Sequence, residues 1–303
     1  MGEAVATQMV VLFTIVIVGY LLRKKGTINH EFNRQLSSFV INISCPCLIM
    51  SSVMTDNHPD ASLILPLIAL SFATYIFLIA IAFILPRYMP INHNDDGLFG
   101  FMITFGNVGF MGYPVVASIF GANAVFYASI LNFPNTLLVY AIGSLFVSGN
   151  YKHVRFDPKT LYSPGLIASY ISIIIVIFSI HTPQPIAQIF DLLGSMTVPS
   201  ALLIIGSSMA QVPLKKMLGS RGIYIMATLR LIVMPYIILM ICRFLGINEL
   251  ISNINVVIIA MPVASFGILF CIKYGKGEEL MAQGTFITTL LSVLTIPIVA
   301  MFL

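Results

Sequence analysis

Long apolar runs separated by short polar connections set the pattern of this chain. A helix needs about 20 apolar residues to cross a hydrocarbon core. On that measure the runs divide into ten candidate spans, at 4–22, 32–54, 61–85, 98–119, 123–148, 161–180, 186–210, 222–246, 252–272 and 280–302. The connections, such as Lys24 to His30, Asp56 to Asp60 and Asn150 to Thr160, are too short to hold a soluble domain. Arg23, Lys24 and Lys25 follow the first run instead of preceding it, which is the wrong order for a cleaved signal peptide. The pattern predicts an all-α membrane protein.

Composition narrows the class. Hydrophobic residues make up 58% of the chain and charged residues 9%, against roughly 25% charged in soluble domains, and the mean hydropathy is +1.00. A water-soluble fold could not cover that much apolar surface. The net charge of +4 sits in short clusters between apolar runs, where it orients helices and does not form a nucleic-acid face. One set of connections carries Arg23, Lys24, Lys25, Arg34, Arg87, Lys152, Arg155, Lys159, Lys215, Lys216, Arg221, Lys273 and Lys276. The opposite set, both termini included, carries only Arg243, and Arg230 lies inside a span. The positive-inside rule then places both termini outside the cytoplasm of a multi-pass plasma-membrane protein. Cys45, Cys47, Cys242 and Cys271 all fall in apolar segments, so no disulfide framework is indicated.

Ten spans divide into two sets of five, the arrangement an inverted repeat requires. An offset of about 153 residues relates Pro46 to Pro199, Phe120-Gly121 to Tyr274-Gly275, and Thr136-Leu137-Leu138 to Thr289-Leu290-Leu291. The expected halves are 1–148 and 161–303, joined by a cytoplasmic connection over 149–160. Spans four and nine carry the clearest interruptions. Span four reads Phe105-Gly-Asn-Val-Gly-Phe-Met-Gly-Tyr-Pro114 and span nine Ala260-Met-Pro-Val-Ala-Ser-Phe-Gly267. At the repeat offset Gly109 pairs with Pro262, and Pro114 with Gly267. Proline removes a donor and glycine weakens the helix, so both spans are expected to unwind near mid-membrane. Crossed broken helices would present half-helix N-termini there, which favour an anion. Small residues serve close helix packing equally well. The polar neighbours Asn107, Asn42, Asn132 and Asn135 favour a site, because each must find hydrogen bonds inside an apolar slab.

Two ionisable residues fall within spans, Asp191 and Arg230. Both are candidates for ion or proton coupling. Asp191 also reads as a helix-terminal carboxylate near an interface, and Arg230 as a side chain that snorkels or binds a carbonyl. Cys45-Pro46-Cys47 with sixteen methionines would suit soft-metal transport, but the repeat-related Pro199 lacks cysteine neighbours and Pro46 reads better as a helix break. The five histidines lie in connections or at span ends, with no His-x-x-x-His pair and no Gly-x-Ser-x-Gly turn, so neither zinc nor serine hydrolase chemistry is expected. No cofactor, metal or enzymatic activity is expected.

The run Asn107-Val-Gly-Phe-Met-Gly-Tyr-Pro114, followed by Gly121, resembles the fourth-helix signature of the auxin efflux carrier family, which includes plant PIN-type carriers and bacterial organic-acid permease-like members. Phe32-Asn-Arg34 leading to Pro46, Leu229-Arg-Leu231 leading to Pro235, and Ala260-Met-Pro262 leading to Tyr274-Gly275 agree in order, over nearly the whole chain. The resemblance implies ten helices as two inverted five-helix repeats, interleaved scaffold and transport subdomains, and fourth and ninth helices crossing at proline-marked breaks. It further implies a carboxylate-bearing organic anion bound beside the crossing, with Asn107 as the polar contact and Pro114 and Pro262 marking the broken helices. The short central connection and Val263-Ala-Ser-Phe-Gly267 depart from the plant pattern, which speaks against auxin as substrate.

The expected function is alternating-access transport of a small organic anion, with a channel or transporter-derived sensor as the alternative. The substrate-binding candidates are Asn107, Gly109, Gly112, Tyr113, Pro114, Pro262, Ser265, Asn42, Asn132 and Asn135. The expected partners are that anion and the lipid bilayer, without nucleic acid, and a homodimer is left open as the assembly.

Overall fold

The computed structural model describes residues 2–54, 59–149, 161–210 and 220–303. Lys152, Arg155, Lys159, Lys215 and Lys216, with the expected central connection beyond Gly149, lie outside the described residues. Among the described residues the secondary structure is helical, apart from one isolated antiparallel bridge between Gly106 and Val263. Helix is the form a sequence this apolar adopts because each segment then satisfies its own backbone N–H and C=O groups away from water.

Four helices among the described residues are long and apolar enough to cross a bilayer: Ala61–Tyr88, Gln184–Met209, Arg221–Phe244 and Glu278–Met301. The bent pair Ala124–Leu138 and Ala141–Ser148, 43° apart, makes a fifth if it is one span. Shorter apolar helices, Val108–Phe120, Pro164–Ile177 and Glu249–Ile259, occupy parts of three further expected spans, and Gly2–Lys24 covers the first. Large apolar side chains face outward along these helices, Leu65 at 74%, Leu192 at 70% and Leu294 at 66% exposure. Such surface suits lipid and not water. The protein is a multi-pass membrane protein, helical throughout its described residues.

Wide π-type turns lie at Val40–Ser44, Val108–Gly112, Val139–Gly143 and Leu229–Val233. The first, second and fourth run into Pro46, Pro114 and Pro235. A proline ring clashes with the carbonyl four residues back and cannot donate. The preceding residue therefore reaches one position further, with Cys45 N–H donating to Val40 O and Met234 N–H to Leu229 O. The extra residue lets the helix pass through the proline, so His30–Ser51 is one helical run and Pro46 does not break it, contrary to the sequence expectation.

The chain divides into two compact units, each assembled from segments of both halves. The first comprises Met1–Ile68, Gly109–Leu131 and Leu161–Val212. In it Gly2–Lys24 packs along Thr197–Met209, and glycine is required at the closest approach: a Cβ on Gly206 would overlap Val16 O, and one on Gly19 would overlap Leu203 O. Ser44 Oγ donates to Leu193 O at 2.9 Å and lies 2.6 Å from Thr197 Oγ1, which then donates to it. Ser44 and Thr197 are 153 residues apart, the offset read from the prolines. The second unit comprises Ala69–Val108, Asn132–Thr160 and Pro213–Leu303. Phe101 packs against Phe105 and Phe270 within it, and Asn255 Nδ2 donates to Thr74 Oγ1 at 3.0 Å in its interior.

Candidate functional site

The second unit contains two helix ends that stop in apolar surroundings. Helix Asp96–Thr104 gives way to Phe105, whose φ of −100° and ψ of 120° are extended, and Gly106 follows. Helix Glu249–Ile259 ends at Ala260. Pro262 lacks an N–H and pushes Met261 away from helical geometry. A helix end leaves carbonyls without partners, a heavy cost where water is absent.

The two extended stretches partner each other. Asn107 N–H donates to Pro262 O at 2.8 Å and Ala264 N–H to Phe105 O at 3.0 Å, on either side of the Gly106–Val263 bridge. Side chains take the outward backbone groups. Asn135 Nδ2 donates to Gly106 O at 3.4 Å and to Asn132 Oδ1 at 2.9 Å. Val263 N–H donates to Thr288 Oγ1 at 3.1 Å, and that hydroxyl donates to Gly284 O at 2.7 Å.

Two further carbonyls meet a cation. Arg230, 1% exposed, sits on the wide turn Leu229–Val233 and is aimed at the breaks. Its Nε donates to Met261 O at 3.0 Å and its Nη1 to Ile103 O. Ile103 lies in the last turn of helix Asp96–Thr104 and Met261 directly follows the C-cap of helix Glu249–Ile259, so both acceptors sit at helix C-termini, where the backbone dipole is negative and a cation is favoured. Gly106 leaves the room for this, since a Cβ there would overlap Arg230 Nη2.

On the edge of the paired breaks Asn107 is half-buried and Ser265 exposed, with Asn107 Nδ2 3.5 Å from Ser265 Oγ. Ser265 caps helix Phe266–Tyr274 without spending its side chain on a cap hydrogen bond. An amide, a hydroxyl and a helix N-terminus together offer donors to a small anion.

The structure therefore brings together Asn107, Pro262, Ser265, Asn132, Asn135 and Arg230. Gly109, Gly112, Tyr113, Pro114, Asn42 and Asp191 belong to the first unit. Pro114 lies in the first turn of helix Tyr113–Phe120, a position proline tolerates. The first break is therefore upstream of it, at Phe105 to Asn107, a correction to its expected role. Asn42 is exposed and donates to Ser38 O at 2.9 Å and Ser38 Oγ at 3.1 Å in its own helix. Asp191 is exposed on helix Gln184–Ser195. Thr288 and the role of Gly106 escaped the sequence reading. The repeat offset, applied to Asn135, points to Thr288.

A family model described as "Membrane transport protein" matches residues 4–155 and again 152–300. A protein of Methanocaldococcus jannaschii named an uncharacterized transporter is 29% identical over 298 residues, covering 94% of each chain. Another of that description, from Methanothermobacter thermautotrophicus, is 24% identical over 292 residues, covering 95% of this chain and 94% of its own. A protein of Rhizobium meliloti named "Putative malonate transporter" is 23% identical over 296 residues, covering 94% of this chain and 91% of its own.

Proposed function

The chain belongs to the membrane transport protein family, the auxin efflux carrier-like group, and from that premise we propose that it is a secondary transporter moving a small carboxylate-bearing organic anion by alternating access. The observation that carries this reading is the pair of helix breaks, joined backbone to backbone and edged by Asn107 and Ser265. Unwound backbone at membrane depth is a costly feature, tolerated where protein buries it or a polar cavity hydrates it, and it is the usual form of a transporter binding site. The name of the Rhizobium meliloti relative favours a short dicarboxylate over an aromatic acid.

In this reading Asn107, Pro262 and Ser265 form the binding edge, with Asn132 and Asn135 holding the first stretch. The fold is ten spans in two inverted halves, 1–148 and 161–303, with both termini outside the cytoplasm. The family match in two successive segments and the hydrogen bond between Ser44 and Thr197 at the repeat offset support the duplication. The unit containing the paired breaks is the part that carries substrate.

Purified protein in proteoliposomes, assayed with radiolabelled malonate and a panel of mono- and dicarboxylates, tests the proposal. Saturable uptake accelerated by the same acid preloaded on the far side is the expected result. Flux that rises linearly with concentration without that acceleration would establish a channel instead.

A further inference from the structure

Arg230 is a buried cation whose hydrogen-bond acceptors are carbonyl oxygens of the two broken spans, Met261 O and Ile103 O. No carboxylate neutralises it: the ion pairs among the described residues are Arg34–Glu31 and His93–Asp96. Its Nη2 is buried without a hydrogen-bond partner among the described residues and presses against the space that Gly106 leaves open. A buried, unpaired guanidinium is costly unless fixed negative potential surrounds it. Two helix C-termini supply that potential. Unwound carbonyls at half-helix C-termini are also the group that coordinates sodium or a proton carrier in other broken-helix transporters.

We propose that Arg230 is the resident cation of the paired breaks, a fixed charge that occupies the position an inorganic coupling ion would otherwise fill. The breaks then assemble without sodium. The second consequence, attraction of an anion to the Asn107–Ser265 edge without co-binding of a metal ion, rests on the transport reading above. The first does not.

The test uses the full-length protein in detergent and follows thermal unfolding. The chain has no tryptophan but has four buried free cysteines, so a thiol-reactive fluorogenic dye reports unfolding directly. The wild-type midpoint should be unchanged when choline chloride is replaced by sodium chloride at equal ionic strength. R230A should unfold at a lower temperature and recover at least half the loss with millimolar ethylguanidinium, saturably, while choline gives no recovery. If R230A does not fold, R230K against R230M carries the comparison, because lysine keeps the charge and methionine keeps only the stem. R230K should be the more stable. A wild-type midpoint that rises saturably with sodium, an R230A protein as stable as wild type, recovery no better with ethylguanidinium than with choline, or equal midpoints for R230K and R230M would each overturn the assignment. Malonate added to the same wild-type samples separates the two readings: absence of a malonate shift counts against the substrate class and leaves the Arg230 result standing.

Discussion

Replacing Gly106 with alanine places a methyl group on a residue of the first break that lies directly against Arg230. The new Cβ would overlap Nη2, and it would lie 3.4 Å from Cζ and 3.6 Å from Met261 Cβ. Arginine ends are usually free to move aside, but this one is held by two charge-assisted hydrogen bonds to backbone carbonyls. Moving it weakens both, at about 1.5–3 kcal/mol each, and some backbone relaxation favours the lower end, about 3 kcal/mol in all. At about 2–4 °C per kcal/mol for a large chain, the unfolding midpoint should fall by about 6–12 °C in the thiol-dye assay. Gly109→Ala is the matched control, because no described atom lies within 4 Å of the Cβ it would gain. Its change should stay within about 1 kcal/mol. If Gly106→Ala unfolds no earlier than Gly109→Ala, Arg230 is not pinned as described and the reasoning fails.

Asn107→Ala should weaken anion binding by about 1–3 kcal/mol, one to two orders of magnitude in Kd, measured by equilibrium binding on protein of normal thermal stability. An unchanged Kd would remove Asn107 from the site. Thr288→Val keeps the side chain's shape but leaves Val263 N–H without its acceptor, and should cost about 1–3 kcal/mol, while Thr288→Ser should stay near wild type by the same melting assay. For topology, cysteines introduced at Lys25 and Leu245 should differ in intact cells, with position 245 labelled by an impermeant maleimide and position 25 protected. Labelling at 25 would invert the proposed orientation, and the native cysteines, all buried, give little background.

Much of the helical order was legible because the bilayer imposes one rule, long apolar runs between charged connections, and residues such as Leu65 and Leu294 obey it from the lipid side. The breaks were legible from the cluster of glycines in span four and from Pro262, since few residue types tolerate a helix end in apolar surroundings. Their exact position was not. Pro114 looked like a break because proline costs a helix its hydrogen bond, but a wide turn upstream absorbs that cost, and turn width leaves little trace in composition. Arg230 was legible as an anomaly, a charge within a span. Its partners were not, because carbonyls carry no sequence signature: Ile103 and Met261 read as ordinary apolar residues.

The paired breaks also constrain how a carrier of this design moves. Each stretch is tied to the other by backbone hydrogen bonds, Asn107 to Pro262 and Ala264 to Phe105, and each is tied to a helix of its own half, through Asn135 or Thr288. Asn135 and Thr288 are related by the same offset as Ser44 and Thr197, yet one donates to a carbonyl and the other accepts from an N–H. Under the proposed duplication, the position is kept while the chemistry follows whichever backbone group faces outward. Rewinding either stretch, or separating the two, would strand several of these groups and the Arg230 guanidinium together, and each unsatisfied group costs several kcal/mol where water is excluded. Translating the whole assembly breaks none of them. For the transport cycle proposed, the cheaper motion is thus displacement of the paired breaks as one body, with Asn107 and Ser265 carried along at fixed spacing, and not a local helix–coil change at the site.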